Sequence, residues 1–141
     1  MKQILLFMMS ICLILGIGIT TADSVPNLTG TWIAEKIDCI QFSGEIVSSP
    51  TEKDYWNITQ EDNMITGTNF FFDGESVVEE PIAGVISPDG KIVNVVDSSG
   101  GTYIISITDD DTLTITYLNT GDKKEEFNYA FVVSEVMKRS A

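Results

Sequence analysis

"TYIISITDDDTLTITYL", Thr102 to Leu118, is the stretch whose reading decides the fold. Leu113, Ile115 and Tyr117 occupy every second position, with Thr112, Thr114 and Thr116 between them. Tyr103, Ile105 and Ile107 alternate in the same way with Thr102, Ser106 and Thr108, and only Ile104 breaks the polar face. A period of two sends successive side chains to opposite faces of a strand. The polar break at 108–111 separates the two runs, so the segment predicts an antiparallel pair with one buried and one wet face.

Working outward, the same grammar repeats. Runs of β type occupy 30–40, 53–60, 64–72, 75–86, 91–97, 102–108, 112–118 and 125–133. In the last, Phe127, Tyr129, Phe131 and Val133 alternate with Glu126, Asn128, Ala130 and Val132. The breaks at 61–63, 73–74, 88–90, 98–101 and 119–122 are rich in Gly, Asn and Asp, which tolerate positive φ. Only the connection at 41–51 is long. No heptad, helical period or low-complexity tract interrupts the series. Strands with one wet face leave unpaired edges unless the sheet closes. We therefore expect an all-β chain, a single antiparallel up-and-down barrel of about eight strands. That order puts 41–51, 73–74, 98–101 and 119–124 at one end, and 61–63, 88–90 and 109–111 at the other.

The N-terminus reads differently. Lys2 precedes an apolar run from Ile4 to Ile19, interrupted only by Ser10, and Thr20 and Ala22 suit a small-x-small cleavage site. The run has 16 residues, short of the ~20 that span a bilayer. Residues 1–22 are expected to be a signal peptide, and 23–141 a single secreted barrel domain. A retained leader would instead tether the protein to the cell surface, its one route to a membrane. The chain carries 21 acidic against 8 basic residues, a net charge of −13, which repels nucleic acid and anionic lipid. Beyond the leader only Cys39 remains, so no disulfide staples the domain unless a second chain supplies the partner.

Gly30-Thr31-Trp32 opens the first run. A Trp there has the area to cross a barrel's narrow end, and a Gly two residues earlier gives the backbone room to bend inward. A cation laid on the indole completes such a plug. The motif resembles the G-x-W of the calycins, the lipocalins and avidins, and Leu28-Thr29-Gly30-Thr31-Trp32 is similar to the avidin opening. The resemblance implies a cup with a small hydrophobic ligand, a long first loop over its mouth, and a basic residue, Lys138 or Arg139, packed on Trp32. It does not carry biotin with it. Ala34 stands where avidins have Asn, Asp38 where they have a ligand-bonding Ser, and only Trp32 and Trp56 follow the leader.

Strict alternation from Trp32 would turn Ala34, Lys36 and Asp38 inward and leave Ile33, Ile37 and Cys39 outside. Either a bulge shifts this register or the outer stripe packs on something, such as 134–139 or another subunit. The residues expected to line a ligand cavity are Ala34, Lys36, Asp38, Trp56, Ile58, Phe70, Phe72, Tyr103, Ile105, Tyr117, Tyr129 and Phe131. Phe70 and Phe72 share a face and would form an aromatic rim, with Phe71 on the other side.

Absent chemistry narrows the function. The chain has no His, which excludes Ser-His-Asp and Cys-His catalysis and His-ligated zinc or haem. No P-loop, G-x-G-x-x-G or C-x-x-C occurs. Asp109-Asp110-Asp111 lacks the spaced ligands of a calcium loop and reads as a solvated turn. Asn27 and Asn57 open glycosylation sequons. We expect no enzyme, cofactor or metal. The leading reading is an extracellular binding protein with an apolar cup for a small hydrophobic molecule. The alternative is a solidly filled barrel acting as a structural or inhibitor-like module toward a protein partner or its own copies.

Overall fold

The computed structural model describes residues 25–41, 44, 46–48, 51, 53–73, 75–119 and 131–141. Among them lie nine strands: β1 (Gly30–Gln41), β2 (Ile46–Ser48), β3 (Tyr55–Glu61), β4 (Met64–Phe72), β5 (Val77–Ile86), β6 (Ile92–Asp97), β7 (Thr102–Asp109), β8 (Thr112–Asn119) and β9 (Phe131–Arg139). From β3 to β9 each strand pairs antiparallel with its sequence neighbour, and β1 pairs with both β3 and β9. Eight strands thus close an up-and-down barrel with no helix among the described residues. The short β2 adds to β1 at Asp38–Ile40, beyond the point where β3 has left it.

The final strand departs from expectation. Alternation placed it at 125–133, and the described part of β9 covers Phe131–Arg139, six residues beyond that end. Residues 125–130, with Phe127 and Tyr129, lie outside the described residues, as does the leader. The segment 134–139 is therefore barrel wall and not an outer patch on β1. Its inward Glu135 disguised the continuing period of two.

The register of β1 settles the difficulty raised by Trp32. The β1–β9 pairing slips between Ala34 and Lys36, leaving Glu35 as an extra residue. This β-bulge resets the phase. Trp32, Ala34 and Ile37 are buried, while Ile33, Glu35 and Lys36 are exposed. Lys36 and Asp38 pair with each other on the outside, and the Asp38 carboxyl is held below its usual range by Lys36 and by the Ser48 hydroxyl. The expectation that they line the interior is corrected by that one extra residue.

One end of the barrel is packed and sealed. Trp32 is fully buried, and its Nε1 donates to the Leu28 carbonyl at 2.9 Å. The Arg139 guanidinium lies 4.3 Å from the centre of the indole. It also donates to the carbonyls of Asn27, Thr29 and Asp110 at 2.7–3.2 Å. Gly30 has a φ of 137°, unsuited to other residues, and a Cβ there would sit 3.4 Å from this guanidinium. Lys138 instead donates to Thr112 Oγ1 at 2.6 Å. Above the seal Ile58, Ile65, Ile86, Val93, Val95, Ile105, Leu113, Ile115 and Met137 fill the axis.

Candidate functional site

The other half of the barrel holds a cavity of about 650 Å³. Its walls follow from the same alternation, carried on past the apolar residues. On β6, Val93 and Val95 are followed inward by Asp97. On β4, Ile65 leads to Asn69 and Phe71, and on β5 Ile82 is preceded by Glu80. On β9, Met137 is preceded by Glu135, Val133 and Phe131. The chain keeps its inward parity and changes the chemistry that the parity points in.

Apolar lining comes from Ile37, Phe71, Phe72, Phe131 and Val133, and the rings of Tyr103 and Tyr117 add to it. The aromatic groups are in contact. Tyr103 meets Trp56 edge-on at 5.0 Å and Tyr117 at 4.5 Å, and Tyr117 meets Phe131 at 5.8 Å. Polar lining comes from Asp54, Asn69, Asp73, Glu80, Ser99, Asn119 and Glu135. The cup is therefore part aromatic and part acidic, and the expected charged pair Lys36 and Asp38 takes no part in it.

A hydrogen-bonded cluster anchors one wall. Asp97 Oδ1 accepts the Ser99 amide and hydroxyl at 3.0 Å each and the Gly101 amide at 2.6 Å. Its Oδ2 accepts the Tyr103 hydroxyl at 3.1 Å, and that hydroxyl accepts from Asn69 Nδ2 at 3.2 Å. A Cβ on Gly101 would collide with the Asp97 carboxylate and the Tyr117 ring, so the close approach requires glycine. Burial, then the Asp97 charge, pushes the Tyr103 hydroxyl up, so it stays a donor. Burial likewise raises Glu80, which lies against Ser99 and Asp97.

Asp54 accepts the Phe72 amide at 2.9 Å and is raised by burial. Glu135 is the most displaced carboxyl of the cavity. Burial, then the Asp54 charge, pushes it up to about 8. The Cys39 thiol beside the cavity is raised by burial, which makes it a poor nucleophile. Among the described residues no group of three or more His, Cys, Asp or Glu is placed to hold a metal ion.

Of the residues expected to line a cavity, Phe72, Tyr103, Tyr117 and Phe131 do. Ala34, Trp56, Ile58 and Ile105 are buried in the packed core instead. Phe70 stacks on Tyr55 at 4.3 Å, across the β3–β4 pair, so Phe71 takes the inward place assigned to it. The parity of Ile65 and Asn69 fixes that choice. Lys36 and Asp38 are on the exterior, and Tyr129 lies outside the described residues. Sequence reasoning missed Asp54, Asn69, Glu80, Val133 and Glu135. For all but Asp54, extending the inward phase through a polar residue would have found them.

A second depression of about 560 Å³ lies at the sealed end, lined by Val25, Asn27, Thr29, Gln60, Asp62 and Asn63. Gln60 stitches it closed, accepting the Leu28 amide and donating to the Pro26 and Asp62 carbonyls.

No family model and no curated protein matches the sequence. Among solved structures the chain is similar to apocrustacyanin C1, with 10% identity over 80% of this chain and a TM-score of 0.49, and it spans 61% of that protein's length. It is similar to the possum milk whey lipocalin trichosurin with bound 4-ethylphenol, at 13% identity over 80% of this chain and 76% of that one, with a TM-score of 0.49. Bovine odorant-binding protein gives 12% identity, coverage of 79% and 73%, and a TM-score of 0.47. The closed eight-strand order, the sealed end and Gly30-Thr31-Trp32 at the head of β1 make this a calycin-like barrel.

Proposed function

We propose that the protein is a non-catalytic carrier, exported by its leader, that takes one small molecule with an apolar body into the open half of its barrel. The observation that supports this reading is the cavity itself, about 650 Å³ with aromatic walls above a packed floor. Ligand pockets commonly occupy 300–1,000 Å³ and combine apolar walls with a few placed polar groups. A filled interaction module would have side chains meeting across the axis at every level, and here they do so only in the sealed half.

The test is titration of the folded protein with phenylnaphthylamine, a neutral fluorescent probe. Saturable one-site uptake is expected, and Val133→Trp, which fills the cavity from β9, should weaken it about tenfold or more. Non-saturable uptake, or uptake indifferent to Val133→Trp, would defeat the reading.

A further inference from the structure

An apolar ligand leaves one feature of the cavity without a purpose. Asp54, Asp73, Glu80 and Glu135 line it, and no lysine or arginine does so among the described residues. Most of these acids are occupied. Asp73 accepts the amides of Glu75 and Ser76 in its own turn, Asp54 accepts Phe72, and Glu80 lies against Ser99. Glu135 differs: no described residue gives it a hydrogen bond or an ion pair. It is half-buried, and its carboxyl opens onto the cavity. On β9 it sits one inward step above Met137, which belongs to the core, so it stands at the cavity floor. Its register neighbours are Ile37 on β1 and Ile115 on β8. The carboxyl is thus left to pair with a donor that enters the cavity.

We propose that the cavity binds a monovalent organic cation, a protonated amine whose ammonium group pairs with Glu135 and whose body lies among Phe71, Tyr103, Tyr117 and Phe131. The proposal rests on the small-molecule reading above and names its ligand class. An ammonium supplies the donors that Glu135 lacks, and the ring faces attract the same charge. Asp54, whose charge acts on Glu135, strengthens the pull. A fatty acid would meet the opposite field. A hard metal ion needs six or more oxygens, which a floor of Ile37, Ile115 and Met137 does not provide. The net charge of −13 draws cations toward the protein at a distance.

Protons follow from this arrangement. The other titratable groups that line the cavity are Asp54 before β3, Cys39 on β1, Asp73 after β4, Glu80 on β5, Tyr103 on β7 and Tyr117 on β8. Burial raises all of them except Asp73, which the amides of Ser76 and Glu75 hold low. In the empty cavity Glu135, at about 8, holds its proton at neutral pH. An arriving ammonium displaces that proton, so binding releases it to solvent and tightens as pH rises from 6 to 8.

Three probes with one ring system decide the matter: naphthylmethylamine, naphthylmethanol and naphthoate. Each is titrated calorimetrically into the protein at neutral pH, in two buffers of different ionisation enthalpy. The amine should bind about tenfold or more tightly than the alcohol, with naphthoate weakest. Proton release should accompany the amine alone. In Glu135→Gln, amine affinity should fall to that of the alcohol, and alcohol affinity should stay. An alcohol that binds as tightly as the amine, or an amine preference that survives Glu135→Gln, would overturn the proposal while leaving the carrier reading intact. Failure of all three probes to bind would overturn both.

Discussion

The two halves of the barrel share their strands and differ in nearly everything else. β6 contributes Val93 and Val95 to the sealed half and Asp97 to the open one. β9 contributes Arg139 and Met137 below, then Glu135, Val133 and Phe131 above. In the sealed half an apolar core is closely packed beneath the Arg139 cap, and each large apolar side chain so buried stabilises by about 1.5–3 kcal/mol. In the open half the carboxyls of Asp54, Asp73, Glu80 and Glu135 line the cavity, and burial raises all of them but Asp73. One half supplies the free energy that holds the other in an unfavourable arrangement. The packed core and the cavity are thus divided along the axis and not between separate domains.

That division can be broken most sharply at the seal. Trp32→Ala should cost about 3–5 kcal/mol, read as a lower urea midpoint, because it removes a fully buried indole and strands Arg139. A loss below about 1 kcal/mol would mean that the sealed half is not where stability resides.

The open half should show its cost in a pH profile. A carboxyl raised from its ordinary value of 4.5 to about 8 on folding stabilises fully below the lower value and loses that contribution as pH rises through the upper. Stability should therefore decline between pH 5 and 8, by at most about 1.4 kcal/mol per pH unit from this group. Asp54 and Glu80 are also raised and add to the decline. Asp38, Asp73, Asp89 and Asp109 are lowered, so they act with the opposite sign and only in more acid solution. Glu135→Gln should flatten the slope, and an unchanged profile would remove Glu135 from the account.

Two smaller effects sharpen the contrast. Arg139→Lys keeps the charge but loses the planar fork that serves three carbonyls, and should cost about 1–2 kcal/mol in thermal unfolding. Lys36→Ala breaks an exposed pair on the outer face and should change stability by less than about 0.5 kcal/mol without touching probe uptake.

Much of the fold was legible because it rests on a period of two and on turn chemistry. Leu113, Ile115 and Tyr117 announce β8 without outside help, and the runs at 64–72 and 91–97 fall within a residue of β4 and β6. The site was legible only where it is aromatic. Tyr103, Tyr117, Phe72 and Phe131 were found because large rings look like interior. Glu80 and Glu135 were missed because a carboxylate looks like surface, and here two of them turn into the barrel. Lys36 and Asp38 were misplaced for another reason. The outward Ile37 and Cys39 of strict alternation raise a bulge as one of two explanations, but the pattern alone does not choose it, and the bulge reverses every assignment beyond it.

The sealing contact has a consequence for the order in which the molecule assembles. From β3 to β9 each pairing joins sequence neighbours and can form as a local hairpin. Only β1 with β9 joins distant parts of the chain, and Arg139 reaches carbonyls 110 and 112 residues away. Contacts of such separation form last, because the loop must close before they repay its entropy. On a ribosome, β1 therefore waits with an open edge carrying Ile33 and Ile40 until the last strand has emerged. Closure of the barrel, sealing of its floor and enclosure of the cavity are then one late kinetic event, and a chain stalled before it has no cavity.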